Sequence, residues 1–523
     1  MIIRIPTYQN YLMKNFLFVS AENDALADCK AGGMADVVRD VPRQLAATGD
    51  QVHVIVPAYN RLHKKGRLIT ELKFNIRGEE TVAQLYEVKP KKEYSGITHY
   101  VIHHPEIVEG NIAHIYNDDP EEPFFTDTVK YFIFNTAVAQ AVKQNIFDHI
   151  DVIHLHDWHT ALLLFHRKFH QDYKVLQQSW FVYSIHNLSL QGIRPLNDNF
   201  ASVNNFFPEI GYEYDVVKDG RYNDCINLMA VGIRLADEVH TVSPSYMQDI
   251  MRPSHKPEFI GGESLEEDLK KAYAEGRLHG ILNGVNYQNM RVAQKGKLYP
   301  NILRQLFKWI QEESKKYKAD ILANTGEKVV DLIENPPRFV VSSVARMTEQ
   351  KFYFFKQKPE ALKEILRKLE AHNGIFILLG TGEPEYESLM REISYEHANF
   401  IFINGQSEDI IDSIYLESDL YFMPSLFEPC GISQMLAMRN GVLCLVHHTG
   451  GLIDTVDAGK NGFSFKGEHI EDTIANMVSS FDSCLDVYFN DRPQWNKMRR
   501  KAKAVRFSWE NSVKEYYSKL YTY

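Results

Sequence analysis

The sequence predicts an α/β protein made of two lobes, each built on a parallel sheet with helices on both faces. The chain has 523 residues, and single hydrophobic cores stop growing near roughly 250–300 residues, so two domains are expected. Short apolar runs of strand length alternate with segments of helical periodicity. These runs end in polar or glycine-containing turns, which is typical of parallel strands buried on both faces.

Composition narrows the class of protein further. The chain is 44% hydrophobic and 24% charged, with a formal net charge of -10, which argues against general binding to nucleic acid. It contains no apolar run of about 18 residues, so no membrane partner is expected. The five cysteines are scattered and show no metal-type pairing, and the first residues lack the apolar stretch of a secretory signal. The sequence therefore predicts a cytoplasmic protein.

The first lobe opens with a βαβ unit, in which a strand at residues 15–22 leads through a glycine turn to a helix at 34–48 and a strand at 51–57. Further strands are expected at residues 151–155, 180–185 and 238–242. A second series begins after Pro336 and Pro337. Its strands are expected at residues 339–344, 374–379, 400–403, 420–423 and 442–446.

The segments outside the two strand series complete the domain plan. Residues 286–335 are charged and helical in pattern, and residues 508–523 carry apolar side chains near helical spacing, which favours a docked final helix. The expected units are an N-terminal extension at 1–14, a first lobe at 15–285, a helical connection at 286–335, a second lobe at 336–505, and a C-terminal helix at 506–523 that docks back on the first lobe.

Ligands of open parallel sheets bind beyond the carboxyl ends of the strands, so the turns there are the candidate chemistry. The first such turn, residues 30–33, contains Lys30, Gly32 and Gly33 and leads straight into a helix. Adjacent glycines allow close approach, the helix N-terminus offers free amides, and the lysine adds a positive charge, so a diphosphate is a natural guest. A plain structural turn remains the alternative.

The turns after two neighbouring strands are rich in histidine. Residues 154–159 read His-Leu-His-Asp-Trp-His, which is close to a metal-binding pattern, but the aspartate is one place too early and further ligands are not evident. The alternatives are an active-site wall, or packed histidines with Asp157 capping a helix. His186 and Asn187 follow the next strand, and their position favours the cleft over a core role.

Basic and acidic residues follow the strands of the second lobe. Arg346 and Lys351 come after the strand at 339–344 and can converge on one anion without a metal, although a solvated basic loop would look similar. Glu428 lies between Phe427 and Pro429, in a stiff apolar setting before a helix, where it can bind sugar hydroxyls or stabilise positive charge. Helix capping is the alternative. The pair Gly450–Gly451 repeats the glycine-before-helix pattern of the first lobe.

Taken together, these segments resemble the bacterial and plant glycogen (starch) synthase family, glycosyltransferase family 5, nearly end to end. The matching motifs, in family order, are KAGGMADV from Lys30, HDWHTAL from His156, IHNLSLQG from Ile185, ADEVHTVSPSY from Ala236, GILNGV from Gly280, ARMTEQK from Ala345, LLGTGEPEYE from Leu378, MPSLFEPCGISQMLAMRNG from Met423, HTGGLIDTV from His448 and FSWENSVKEYY from Phe507.

The resemblance implies a GT-B fold, with two Rossmann-like lobes facing a deep cleft. It also implies retaining transfer of glucose from ADP-glucose to the non-reducing end of an α-1,4-glucan, with neither a metal nor a cofactor. The residues implied as catalytic are Asp157, His186, Arg346, Lys351 and Glu428. Those implied as substrate-binding are Lys30, Gly32, Gly33, Asp36, His159, Asn187, Cys430, Gly431, Thr449, Gly450 and Gly451.

The chain departs from the family pattern at Ala31, Ala230, Asn286 and Phe352. Phe352 stands where a glycine normally follows Gln-Lys, so a bulky ring adjoins the expected diphosphate pair. These departures leave two alternatives open, which are the same fold acting with UDP-glucose or another acceptor, and a non-catalytic glucan-binding protein.

Overall fold

The structure, a computed structural model, describes residues 13–197, 199–287, 294–313 and 316–522. The predicted N-terminal extension therefore lies almost wholly outside the described residues. The strands, β1 to β17, are Asn15–Val19, Gln51–Pro57, Arg67–Ile76, Glu79–Glu87, Ile97–His103, Val152–His156, Trp180–Ile185, Ile193–Pro195, Cys225–Asn227, Glu238–Thr241, Leu278–Gly280, Phe339–Val344, Gly374–Leu379, Phe400–Ile403, Leu420–Met423, Leu443–His447 and Phe463–Phe465.

The helices fill the segments between these strands. The α-helices, α1 to α19, are Gly33–Ala47, Phe125–Lys143, Leu162–Phe169, Val203–Phe206, Tyr214–Val217, Leu228–Leu235, Pro244–Ile250, Glu266–Ala274, Leu298–Glu312, Lys316–Glu334, Glu349–Gln357, Pro359–Ala371, Pro384–Glu396, Glu408–Glu417, Ser433–Arg439, Gly451–Thr455, Ile470–Asn490, Arg492–Ala504 and Trp509–Lys519. Short 3₁₀ helices span Leu62–Lys65, Trp158–Thr160 and Gln171–Gln178. Within these described stretches, none of the helices has the length and apolar character needed to cross a bilayer.

The first sheet has nine strands in the order β11-β10-β7-β6-β1-β2-β5-β4-β3. The predicted α/β class is confirmed, because β1, β2, β5, β6, β7, β10 and β11 pair in parallel. Strands β1, β6 and β7 lie side by side, with Val19 opposite Leu155 and His156 opposite Ser184. The turns after these three strands therefore open at one edge of the sheet.

An antiparallel hairpin at the far edge was not predicted. Strands β3 and β4 pair antiparallel with each other, and β4 also pairs antiparallel with β5. The two-residue turn between them is Arg77-Gly78, and both residues have positive φ, 54° and 76°. Such turns match the twist of hairpin strands. The edge strands are half solvated, so they lack the continuous apolar runs that identify buried parallel strands.

The second sheet is entirely parallel, in the order β14-β13-β12-β15-β16-β17. Four of its strands have the predicted bounds, and β16 is shifted by one residue. Helices α9 and α10, predicted as a connection, pack on one face of this sheet, where Leu298 and Leu306 meet Ile375 and Ile401. The domain limits themselves stay a prediction.

The last helix, α19, returns to the first lobe. Val285 N–H donates to Phe507 O at 2.7 Å as the chain crosses back. Beyond that crossing, Tyr516 and Tyr521 are buried in the first core, and the Tyr521 ring packs edge-on against Phe16. The C-terminal residues are thus part of the packing beneath the strands whose ends carry the candidate site.

Candidate active site

The turn after β6 is tied to the turn after β7 by one carboxylate. Asp157 is buried and has φ of 55°, and its Oδ1 accepts the backbone N–H of His186 at 2.7 Å and that of Asn187 at 3.5 Å. Burial raises the pKa of Asp157 to about 7, although those two N–H groups oppose the shift. The proposed capping role is wrong, because the side chain makes no cap hydrogen bond. Asp157 instead fixes the backbone that carries His186 and Asn187.

The histidines behind this turn form a buried polar layer. His156 Nδ1 lies 2.9 Å from His186 Nε2, while the rings of His154 and His156 stack with centroids 4.5 Å apart. His154 Nε2 is 2.7 Å from Ser184 Oγ, which is also 2.7 Å from His240 Nδ1. Of the alternatives given by the sequence, packed and hydrogen-bonded histidines therefore describe His154 and His156. The described residues contain no group of three or more His, Cys, Asp or Glu side chains placed to hold a metal ion.

We expect these histidines to make the fold acid-labile. Burial lowers the pKa of His186 and His240 to about 3, and holds those of His154 and His156 well below their usual range. Below about pH 6.5 these histidines are protonated in the unfolded chain but stay neutral in the folded chain. The free energy of unfolding therefore falls as pH falls from about 6.5 towards 3. Each group contributes a slope of about 1.4 kcal/mol per pH unit in that window.

Urea unfolding at a series of pH values measures this slope. His240→Gln should reduce the slope of the unfolding free energy against pH by about 1.4 kcal/mol per pH unit, the contribution of one proton. His469→Gln, at an exposed position, should leave that slope unchanged. Equal slopes in both variants would contradict the assignment.

The glycine turn before α1 is held by a carboxylate that was not among the predicted site residues. Glu22 is buried, its Oε2 accepts the N–H groups of Ala31 at 2.7 Å and Gly32 at 2.6 Å, and Tyr116 OH donates to Oε1 at 2.6 Å. Two amides expected to face a diphosphate are thus already paired. Glu22 lies three residues after the end of β1, so its position in a strand-end turn was the available signal.

Lys30 and Asp36 pair with each other on the rim of this turn. Lys30 Nζ lies 2.7 Å from Asp36 Oδ1 and 3.6 Å from Asp24, and the lysine side chain is 43% exposed. Burial lowers the pKa of Lys30, but Asp36 and Asp24 outweigh it and raise the pKa overall. The lysine therefore stays charged, with a ligand-accessible ammonium group.

In the second lobe, Glu428 is bound to Lys351. The Lys351 ammonium contacts Glu428 Oε2 in a direct ion pair, and Ser425 Oγ donates to the same oxygen at 3.1 Å. Their side chains are 15% and 8% exposed, so solvent screens the pair only weakly. Helix α15 begins at Ser433, which rules out capping as the role of Glu428. Seventy-seven residues separate the two charges, and the parallel sheet brings them together.

Arg346 and Phe352 lie on either side of Lys351 in the sequence. Arg346 is exposed and makes no hydrogen bond or ion pair within the described ranges, so it is free to meet an anion. The Phe352 ring is buried in the second core beside Phe355. The ring also lines a small cavity together with Lys351 and Ser425, so it adjoins the lysine as the sequence departure predicts.

The glycine pair Gly450–Gly451 packs against the backbone of residues 428–430. Gly451 N–H donates to Glu428 O at 3.0 Å, and a Cβ at Gly451 would lie 2.5 Å from Cys430 Cα. Cys430 is buried, and burial raises the pKa of its thiol far above the usual range. The two glycines therefore serve close backbone packing behind Glu428. Gly431 has φ of 74°. Thr449, which immediately precedes Gly450, is half-buried.

We predict that Gly450→Ala destabilises the protein by about 2–4 kcal/mol, because it adds both left-handed backbone strain and overpacking. Gly450 has φ of 44°, and an added Cβ would lie 2.0 Å from Glu428 O. Gly459→Ala is the matched control, since Gly459 has φ of 75° with no atom within 4 Å of the added Cβ. It should cost only about 1–2 kcal/mol in the free energy of unfolding. Equal losses would show that contact with Glu428 is unimportant.

The two lobes meet through α7 of the first lobe. Ser243 Oγ donates to Pro429 O at 2.6 Å, and Ser245 Oγ donates to Asp454 Oδ1 at 2.8 Å. Asp249 Oδ2 accepts Gly450 N–H at 3.2 Å, and burial raises the pKa of Asp249 to about 6. None of these contacts was predicted, since serines and aspartates in a helix carry no sequence signal for a distant partner. They hold the Glu428 segment against the first lobe.

The two sets of predicted residues approach each other at this junction. A Cβ on Gly33 would lie 3.5 Å from Ile432 Cδ1, so the first turn touches the end of the Glu428 segment. His159 is the exception, because its ring is buried against Tyr131 at 4.7 Å and Trp158 at 4.3 Å. Its side chain packs within the first lobe, and its substrate contact stays a prediction.

Comparisons with known proteins agree with this arrangement. A family model described as the starch synthase catalytic domain matches residues 15–271, and one described as glycosyl transferases group 1 matches residues 327–485. The glycogen synthase of Streptococcus sanguinis (strain SK36) is 32% identical over 518 residues, which cover 97% of this chain and 98% of the relative. That of Bacillus cereus (strain ATCC 10987 / NRS 248) is 30% identical over 521 residues, covering 97% and 99%.

A solved structure supports the fold. The catalytic domain of starch synthase IV from Arabidopsis thaliana, bound to ADP and acarbose, superimposes with a TM-score of 0.72 at 22% identity, covering 97% of this chain and 98% of that one. Its two-lobed GT-B architecture confirms the fold class. The chain therefore belongs to the glycogen (starch) synthase family, glycosyltransferase family 5, and is a glycosyltransferase that transfers glucosyl units in glycogen synthesis.

Proposed function

We propose that the protein transfers glucose from ADP-glucose to the non-reducing end of an α-1,4-glucan with retention of configuration. The observation that carries this proposal is the buried Lys351–Glu428 ion pair, whose segment hydrogen bonds to the first lobe through Ser243. A fixed ammonium and carboxylate side by side suit a reaction in which a diphosphate leaves while positive charge develops on the sugar.

The proposed roles follow from charge and position. Lys351 and the exposed Arg346 neutralise the leaving diphosphate, and Glu428 binds the glucose and stabilises the positive charge that develops at its anomeric carbon. His186 and Asn187, whose backbone amides are tied to Asp157, line the glucose on the opposite side. No general base is required, because electrostatic stabilisation and positioning supply the rate enhancement.

The remaining residues complete the donor pocket. Lys30 presents its ammonium at the rim, beside Asp36, and Gly33 approaches the second lobe at Ile432. Cys430 and Gly431 continue the segment that holds the glucose, and Thr449, Gly450 and Gly451 support it from behind. Because Glu22 already takes the amides of Ala31 and Gly32, the proposed anion contact of this turn falls to Gly33 and Lys30.

The base of the donor has a candidate position in the second lobe. A cavity of about 620 Å³ opens beyond the carboxyl ends of β13 and β14, with Trp309, Thr381 and Gln406 in its lining. Thr381 O accepts the N–H of Met347, the residue after Arg346, at 2.9 Å. The volume of this cavity lies in the range of about 300–1,000 Å³ that is typical of small-ligand sites. The Arabidopsis structure, bound to ADP and acarbose, supports an adenine nucleotide and an oligosaccharide as substrates here.

UDP-glucose as donor is the second candidate. The departures at Phe352 and Asn286 favour it, and the buried Phe352 ring lines a small cavity together with Lys351. Ala230 is likewise buried, in the first turn of α6. Ala230 stands where members of the family usually carry a lysine, so this chain has one cation fewer at that position.

Transfer of radiolabelled glucose to glycogen tests the proposal. We expect incorporation from ADP-glucose at a kcat/KM at least about tenfold above that from UDP-glucose, a difference of about 1.4 kcal/mol in transition-state binding. Digestion with β-amylase, which releases maltose from the non-reducing ends of α-1,4-linked chains, should release the label and serves as the control for the linkage formed. Preference for UDP-glucose would overturn the donor assignment, and absence of transfer from any nucleotide sugar would overturn the function.

A further inference from the structure

The hydrogen bond between His156 and His186 determines which ring nitrogen of His186 carries the proton. His156 Nδ1 and His186 Nε2 are 2.9 Å apart, so one donates and the other accepts. Burial lowers the pKa of both rings, that of His186 to about 3, so each is neutral near pH 7 and carries a single proton. Where His156 keeps its proton therefore decides where His186 keeps its own.

The surroundings of His156 settle the direction. Its other ring nitrogen, Nε2, is buried and has no hydrogen-bond partner in the described part of the chain. The ring is enclosed by Phe18 and His154, with centroid distances of 5.7 Å and 4.5 Å. A proton on Nε2 would bury an unpaired N–H, and orphaned buried N–H groups are rarer in proteins than under-satisfied acceptors. The proton therefore belongs on Nδ1, where it is donated to His186.

We propose that His156 is a positioning residue that locks His186 into the tautomer with its proton on Nδ1. His186 Nε2 then accepts from His156, and Nδ1–H is left as a donor. The His186 ring is half-buried, and Nδ1 has no partner among the residues that the structure describes. The turn itself is fixed by Asp157, which accepts the His186 backbone N–H at 2.7 Å. His186 thus offers the substrate a fixed hydrogen-bond donor and no acceptor.

This inference rests on the proposed function, in which His186 lines the glucose site. A donor-only nitrogen suits a hydroxyl or ring oxygen of the sugar that accepts a hydrogen bond. Because the tautomer is set by a buried neighbour, no reorientation is needed when the substrate binds, which is the benefit of a preorganised site.

Variants of His156 in the full-length chain test the positioning role. His156→Leu removes the donor, and we expect kcat/KM for glucose transfer to glycogen to fall about 100-fold, as for other small displacements of a reacting geometry. His156→Asn places an amide N–H near the former Nδ1, and it should be about tenfold more active than His156→Leu.

His166 provides matched controls for fold damage. It is fully buried in the same lobe, with Nε2 3.0 Å from Thr136 Oγ1 and Nδ1 unpaired within the described ranges. His166→Leu and His166→Asn should lower the thermal midpoint comparably while leaving kcat/KM near the wild-type value. If His156→Leu is no less active than His166→Leu, or if His156→Asn fails to exceed His156→Leu, the positioning role is wrong.

Neutron diffraction from crystals grown in D₂O reads the tautomer directly and independently of activity. We expect deuterium on His156 Nδ1 and on His186 Nδ1, and deuterium on His186 Nε2 would overturn the inference. If the wild-type protein transfers no glucose, the proposed function fails while the neutron result still decides the tautomer.

Discussion

Glu428→Gln is expected to lower kcat for glucose transfer by about 10²–10³-fold, the size typical of losing one preorganised charge that acts on the transition state. The amide keeps the shape of the side chain and can still accept from Ser425, so the local backbone should be unchanged, although the unpaired Lys351 ammonium should lower the free energy of unfolding by about 3–5 kcal/mol. What is lost is the negative charge that the proposed mechanism needs near the anomeric carbon. The Lys351 ammonium is also left without its counter-charge.

The measurement is initial-rate kinetics with ADP-glucose and glycogen, with kcat and KM determined separately. A fall mainly in kcat indicates an interaction made only in the transition state, whereas a rise in KM alone indicates ground-state binding. Glu385→Gln is the matched control, because Glu385 pairs with Lys356 at 2.7 Å on the surface of the same lobe. A Glu428→Gln enzyme that keeps more than about a tenth of wild-type kcat would contradict the proposed role.

Lys351→Met is expected to reduce both activity and stability. It leaves the buried Glu428 carboxylate without a partner, a change that typically costs about 3–5 kcal/mol. It also removes a cation proposed to stabilise the leaving diphosphate, so kcat/KM should fall by about 10²–10³-fold. Lys356→Met is the control on the same helix, α11, since the Lys356 side chain is 36% exposed and its ion pair lies at the surface. It should leave the free energy of unfolding nearly unchanged.

The double variant separates the two consequences of the buried pair. If the stability loss of Lys351→Met arises from the uncompensated carboxylate, Lys351→Met combined with Glu428→Gln should be more stable than the Lys351→Met variant alone. Activity should not recover, because both charges are gone. Additive stability losses would show that the two side chains are not coupled, and recovered activity would exclude the mechanism.

Much of the fold could be predicted because it depends on local patterns. Strands β12 to β15 were predicted with their observed bounds, since a mainly apolar run of four to six residues between turns is typical of a buried strand in an α/β chain. The β3–β4 hairpin was missed for the complementary reason, as its half-solvated strands carry many charges. The packing of α9 on the second sheet was also missed, since an amphipathic helix does not specify which sheet covers it.

The candidate site was predictable as a set of strand-end turns, and the family resemblance added their roles. The turns after β1, β6 and β7 were expected at one edge, and the sheet order places them there. Their internal hydrogen bonds could not be predicted. Glu22 pairs with the amides of Ala31 and Gly32, and Asp249 reaches Gly450 across 201 residues, contacts for which a sequence carries no periodic signal.

By itself, the sequence determined the α/β class, the two series of parallel strands and the turns in which chemistry had to lie. These follow from which side chains must leave water, a property that repeats along the chain every two or 3.6 residues. The tertiary structure alone decided that Lys351 pairs with Glu428, that Phe352 is buried in the core, and that His156 Nδ1 lies within hydrogen-bond distance of His186 Nε2. Hydrogen bonds and ion pairs act over about 3–4 Å in space, and which distant residues come that close depends on how the sheets and helices pack.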